Sequence, residues 1–185
     1  MATKITEKYE FLTQILTAYD GSEQRNALRV EPRHYLTYDY YGVTVCESQW
    51  LRMLMLGSQA NTMYIPLWHI AHDILENVPK GAASYRIDTS HLWGYRNVLG
   101  IFMYREDTLN GGEAYKLSHL TSSGNISLTK GFLNAKTSGA DKAVPMLNCY
   151  IQPDSNLSHN FTNDTNATLN FEVLREQTAP NFPAF

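Results

Sequence analysis

The sequence predicts a mainly-β protein, a β-sandwich or barrel with one short amphipathic helix packed against it. Three observations carry this expectation. Most of the chain alternates apolar and polar residues at the two-residue period of a strand, and Asp-Gly, Asn-Gly-Gly and Ser-Ser-Gly turns separate the alternating runs. The period becomes clearly helical in one place, residues 47–59.

The elements follow in order. In the run from Tyr9 to Tyr19, Phe11, Leu12, Ile15, Leu16 and Tyr19 sit at helical spacing, but Tyr9, Phe11, Thr13, Ile15, Thr17 and Tyr19 alternate over a longer stretch. A strand, a turn at Asp20-Gly21 and a second strand through residues 24–30 are expected. Large rings and small polar groups alternate after Pro32, so residues 33–45 read as a strand with one buried face. In the helical segment Ser48 is the expected cap, Trp50, Leu51, Leu54 and Met55 the apolar face, and Gly57 the left-handed end. Residues 62–70 return to a strand, with Pro66 marking an edge or bulge.

Residues 76–90 are rich in Pro, Gly, Ser and small side chains and mark the expected boundary between a first part, 1–80, and a second β-rich part, 81–185. In the second part, residues 95–107 read as a strand, 108–112 as a turn, and 113–120 and 125–132 as a pair joined across 121–124. Residues 143–153 and 167–175 read as further strands. The Pro- and Phe-rich end, with Phe182 and Phe185, reads either as an arm that docks elsewhere or as a tail packed on its own domain.

Composition narrows the function classes. Hydrophobic residues make up 43% and charged residues 18%, below the quarter or so typical of freely soluble monomers, which points to a surface covered by a partner. A net charge of −3 argues against nucleic acid as a partner, because counterion release needs many exposed cations. Cys46 and Cys149 neither staple a fold nor complete a zinc site. The first ten residues lack the apolar core of a signal peptide and no run approaches a membrane span, so a protein made in a reducing cytoplasm is expected. The five Asn-x-Ser/Thr sites then read as hairpin chemistry rather than glycan acceptors.

Reaction motifs are sparse. His69, His72 and Asp73 lack the His-Glu-x-x-His spacing of a zinc protease, the Gly111-Gly112 run lacks a phosphate-cradle pattern, and the Ser122-Ser123-Gly124 turn is not a nucleophile elbow. Glu106 and Asp107 are adjacent and would point to opposite sides of an extended chain. No enzyme activity and no cofactor are expected. Arg25, Arg29 and Arg33 recur every four residues but alternate with Glu23 and Glu31, so they do not form a phosphate stripe. Arginine among tyrosines suits protein interfaces, through bidentate pairs and ring stacking; solvated or internal salt bridges are the other reading.

The run from Asp20 to Tyr40, followed by a short helix and then Gln59–His69, resembles the N-terminal domain of bacteriophage distal tail proteins. Gly21, Glu23, Gln24, Arg25, Ala27, Pro32, Arg33, Pro66 and Trp68 carry the likeness, which covers roughly residues 7–72. The closing Phe171-Glu172-Val173 strand is similar to those of related virion proteins. The resemblance implies a belt-like β-sandwich domain, a ring of copies joining tail tube to tip or baseplate hub, six copies or three, and a virion assembled in the host cytoplasm. Glu23, Arg25, Arg29, Arg33, Tyr38, Tyr40, Trp68, Phe182 and Phe185 are the expected interface residues. Replacing Arg25 or Arg33 by Ala would then weaken assembly by about 2 kcal/mol if each pair is desolvated. A carbohydrate- or receptor-binding module of the tail, with Trp93 and Tyr95 exposed together, is one alternative; a head-to-tail connector or tail-completion protein is another.

Overall fold

The computed structural model describes residues 4–29, 31–58, 61–95, 97–105, 108–159 and 165–174. The protein is mainly β, and the one α-helix among these residues packs on an antiparallel sheet, the class expected from the alternation. In chain order the elements begin β1 (Lys4–Glu10), β2 (Thr13–Thr17), β3 (Glu23–Ala27), β4 (Arg33–Val43), α1 (Val45–Gly57), β5 (Thr62–Pro66) and β6 (His72–Asp73). They continue with β7 (Ser84–Arg86), β8 (Gly100–Arg105), β9 (Thr108–Leu120), β10 (Asn125–Leu128), β11 (Asp141–Ile151), β12 (Asn156–His159) and β13 (Thr165–Val173). Short 3-10 turns occupy Trp68–Ile70 and Thr89–Tyr95.

Two compact units result: Met1–Thr62 with Cys149–Val173, and Met63–Asn148 with Leu174–Phe185. The segment 76–90 falls inside the second unit. The first unit joins the N-terminal stretch to a later segment, Cys149–Val173.

In the first unit β4 is the central strand. β1 pairs antiparallel with it on one side and β13 on the other, and the free side of β13 takes β12 and the Cys149–Ile151 end of β11. The register places Ile5, Tyr38 and Leu169 in one row and Glu7, Leu36 and Phe171 in the next. Strict alternation in β13 sends Thr165, Ala167, Leu169, Phe171 and Val173 inward. Tyr38 meets Phe171 edge to face, ring centroids 5.9 Å apart, at the centre of this core. The opposite face is polar and self-satisfied: Thr37 donates to Asn170 at 2.8 Å and Thr168 to Asp39 at 2.9 Å.

Helix α1 packs on β13. Its start is set by Thr44 rather than the expected Ser48. The Thr44 hydroxyl accepts from the Glu47 amide at 3.4 Å and the Glu47 carboxylate accepts from the Thr44 amide at 2.9 Å, a reciprocal capping box. Ser48 lies one turn in and is buried. Gly57 likewise does not form a left-handed end: it is the last helical residue, and Ser58 follows at φ −111°. The Asn61 side chain instead donates to the Gly57 carbonyl at 3.3 Å, satisfying a terminal acceptor that a left-handed glycine would otherwise have served.

In the second unit β8 lies between β11 and β9, β10 follows β9, and β7 closes the order; β6 pairs with β11. Ile74, Tyr85, Ile87, Tyr95, Ile101, Met103, Ile126 and Phe132 fill its interior. The expected turn at 108–112 is part of β9 instead. Arg105 pairs with Thr108 and Met103 with Glu113, so the glycines sit in a stretch where the register slips. At Gly112 a Cβ would run into the Phe102 ring, which explains a glycine there without a turn. The turn expected at 121–124 is present, with Gly124 at φ +81°.

Candidate assembly surface

The segment with the densest interface signals folds into a hairpin. β2 and β3 pair only with each other among the described strands, from Thr13 opposite Ala27 to Thr17 opposite Glu23. The turn is closed by local chemistry. Asp20 accepts from the Ser22 amide at 2.9 Å and from its hydroxyl at 2.7 Å, Gly21 takes φ +82°, and the Ala18 amide donates to the Ser22 carbonyl at 2.8 Å. Those bonds to Ser22 hold the Asp20 carboxyl below its ordinary value. At the base the Leu28 amide donates to the Leu12 carbonyl at 2.9 Å and extends the ladder.

Every residue of β2 is exposed. Phe11 is 71% exposed, Ile15 54%, Leu16 46% and Leu28 55%, and Tyr19 in the turn is fully open. Ile15 and Leu16 are neighbours and project from opposite faces. Neither face of the hairpin is therefore covered, although each carries apolar side chains. A two-stranded ribbon is marginal on its own in water, and this one leaves its apolar side chains in contact with solvent.

The expected interface residues separate into groups. Glu23 and Arg25 are on the hairpin, beside Ile15, and pair with each other at 3.3 Å, both side chains exposed. Arg29 is half-buried just after β3. Arg33 opens β4 on a different sheet; its Nε lies 3.9 Å from Glu172, whose carboxylate also accepts from Tyr150 and, at 3.1 Å, from Gln152. The neighbouring Tyr35, then Glu172, raise the affinity of the Arg33 guanidinium for its proton. The four-residue arginine period thus does not produce one stripe, because Arg25 and Arg33 belong to separate sheets.

Tyr38 does not belong to a surface. It is 1% exposed, and burial pushes its phenol far above the ordinary value. Two-residue alternation with Leu36 puts it on the inner face. Tyr40 is half-buried, its phenol also raised by desolvation. Trp68 belongs to the second unit, edge-on to Phe102 at 5.6 Å and Tyr104 at 5.5 Å, so its ring is used in packing. Phe182 and Phe185 lie outside the described residues, as does the side chain of Trp93; Tyr95, its expected companion in a sugar platform, is wholly buried.

The His69-His72-Asp73 group has a structural account at its centre. The Ile70 carbonyl, 3.1 Å from Nδ1 of His72, can only accept, so Nδ1 carries the proton and Nε2 accepts from the Tyr95 hydroxyl at 2.9 Å. Tyr85 continues the chain to Tyr95 at 3.4 Å. Both His72 ring nitrogens are engaged. Among the described residues, no group of three or more His, Cys, Asp or Glu side chains is arranged to hold a metal ion.

The exposed apolar residues Phe11, Leu12, Ile15, Leu16 and Leu28 are absent from the sequence-based interface set. Their signal is in the sequence, since the alternation that marks the strand places apolar groups on both of its sides. A scan of protein-family models finds no match for this chain, and a search of curated proteins finds none.

Proposed function

We propose that this protein is a structural subunit of a bacteriophage tail tip or baseplate, self-assembling into a ring that adapts the tail tube to the hub proteins. The observation that carries the reading is the β2–β3 hairpin: a ribbon in a sheet of its own, open to solvent, with an exposed apolar side chain on each face, Ile15 on one and Leu16 on the other. A hairpin built this way gains most of its stability when another surface covers it. The resemblance of residues 7–72 to distal tail proteins supplies the class of assembly, with six copies the leading count and three the alternative. No described helix is long and apolar enough to cross a membrane.

Head-to-tail contacts between identical subunits either close into a ring or run on as a filament. Native mass spectrometry of the purified chain across concentration and salt therefore reads the proposal directly. A closed oligomer of six or three is expected, and a variant in which residues 13–27 are replaced by a short Gly-Ser turn should run as a folded monomer. An oligomer unaffected by that replacement would remove the hairpin from the assembly.

A further inference from the structure

Two stretches of the second unit bring four polar side chains to one point. Glu113 and Tyr115 lie two positions apart on β9, and Asn134 and Lys136 lie two positions apart on the stretch that bridges back to Val78. The Glu113 carboxylate is where they meet. Its Oε2 is 2.7 Å from Nζ of Lys136, and its Oε1 accepts from Nδ2 of Asn134. The Tyr115 hydroxyl donates to Oε2 and accepts from the Leu133 amide at 2.9 Å, which ties the two stretches together. The Phe132 ring, edge to face with Tyr115 at 5.0 Å, lies 6.0 Å from Nζ. An amine, a carboxylate and a carboxamide thus share one hydrogen-bonded cluster, and the ion pair alone has no need of the carboxamide.

We propose that Lys136 and Asn134 join through an isopeptide bond, with Glu113 carrying the protons, so that this part of the second unit closes covalently once it has folded. Before closure the pair is ionic, but burial narrows the gap to the neutral pair, in which one proton has moved along the 2.7 Å contact and left a free amine. Nζ then attacks Cγ of Asn134 and the new C–N bond forms. The carboxyl gives a proton to Nδ2, the Cγ–Nδ2 bond breaks, and the nitrogen leaves as ammonia. Nothing is oxidised or reduced, and Glu113 ends as it began. Attack of an amine on an amide is slow in water; holding both groups on one carboxylate supplies the orientation. The burial is divided to suit the step: Lys136 is buried and Asn134 exposed, so the nucleophile is kept from water while ammonia has a way out. Closure asks nothing of a second copy and is independent of the ring.

Intact-mass spectrometry of the full chain, denatured after weeks at neutral pH and room temperature, reads the bond directly. A loss of about 17 Da, one ammonia, is expected, together with a tryptic fragment that runs uncut from Gly131 to Lys142. Lys136→Arg keeps the charge and removes the nucleophile, and Asn134→Ala removes the group attacked; neither variant should show the loss. Asn134 is exposed, so its variant keeps the comparison intact even where Lys136→Arg disturbs folding. An unchanged wild-type mass would overturn the bond. A loss that persists in Asn134→Ala or in a folded Lys136→Arg would also overturn it, since an asparagine would then have closed on its own backbone. The same holds for a gain of about 1 Da at Asn134 in place of the loss, which would mean that water and not Lys136 displaces the ammonia.

Discussion

Lys136 and Glu113 meet at 2.7 Å inside the second unit, their side chains 5% and 10% exposed. Tyr115 and Asn134 also donate to the Glu113 carboxylate. Burial alone would raise the Glu113 carboxyl; the bonds from Lys136, Tyr115 and Asn134 outweigh it and hold the group below its ordinary value. Removing one partner of such a pair strands a charge away from water, at a cost of about 3–5 kcal/mol. Lys136→Ala should therefore lose stability on that scale in urea unfolding, while Lys136→Met with Glu113→Gln loses much less.

The same carboxylate sets a pH dependence. A lowered folded value means that the unfolded chain takes up the proton first, so the stabilisation is complete above the ordinary carboxylate range and fades as pH falls through it. Unfolding free energies measured between pH 7 and pH 3 should fall less steeply in Glu113→Gln than in the wild type. Equal slopes would show that the pair contributes nothing to acid sensitivity.

His72 acts at higher pH. Burial lowers its folded value, the Ile70 carbonyl opposes that shift, and His91, stacked at 4.7 Å, adds to it. The folded ring stays neutral where the unfolded ring, near 6.5, would take a proton. Stability contributed by neutral His72 is therefore full above about pH 7 and declines as pH falls through 6.5 toward the lowered folded value. Thermal midpoints recorded from pH 7.5 to pH 5.5 should drop in the wild type and stay flatter in His72→Gln.

Two glycines separate backbone strain from crowding. Gly21 and Gly124 sit at nearly the same dihedral, φ +82° and +81°, but nothing lies within 4 Å of a Cβ at Gly21, while at Gly124 the Ile87 carbonyl oxygen would be 2.4 Å away. Gly21→Ala should cost only the left-handed penalty, about 1 kcal/mol, and mainly within the hairpin. Gly124→Ala adds a backbone collision and should cost about 3 kcal/mol or more. Comparable losses at the two sites would contradict the geometry.

How much of this was legible in the residues differs by element. β4 and β13 are readable because alternation reports which side of a strand is apolar, and in both the apolar side is the buried one. The same reasoning locates β2 and β3 but cannot report their isolation, since a period of two describes faces and not what covers them. Tyr38 looks like an interface residue when counted among nearby arginines and tyrosines; its register with Leu36 shows it to be core. The cap of α1 is missed because Ser48 and Thr44 are both acceptable capping residues, and only the Glu47 partner three positions on decides between them. The pairing of β13 with β4 joins residues more than a hundred positions apart, which local pattern cannot express.

Arg25 and Arg33 offer the sharpest comparison, because the sequence treats them alike and the fold does not. Arg33 stands on the polar face of the β4 sheet, half-exposed at 3.9 Å from a Glu172 that Tyr150 and Gln152 already serve. An exposed pair at that distance contributes between nothing and about 1 kcal/mol, so Arg33→Ala should leave both folding and assembly nearly unchanged. Arg25 also contributes little in the isolated chain, since it is 69% exposed and its partner Glu23 49%. Covered by a second copy in the proposed assembly, however, the pair would lose its water, and removing the guanidinium there would strand the Glu23 carboxylate. Arg25→Ala should thus weaken association by about 2 kcal/mol without lowering the thermal midpoint of the monomeric chain. Sedimentation equilibrium of both variants beside the wild type separates the cases: equal losses would return the arginines to a single stripe, and no loss at Arg25 would place the hairpin's charges outside the contact.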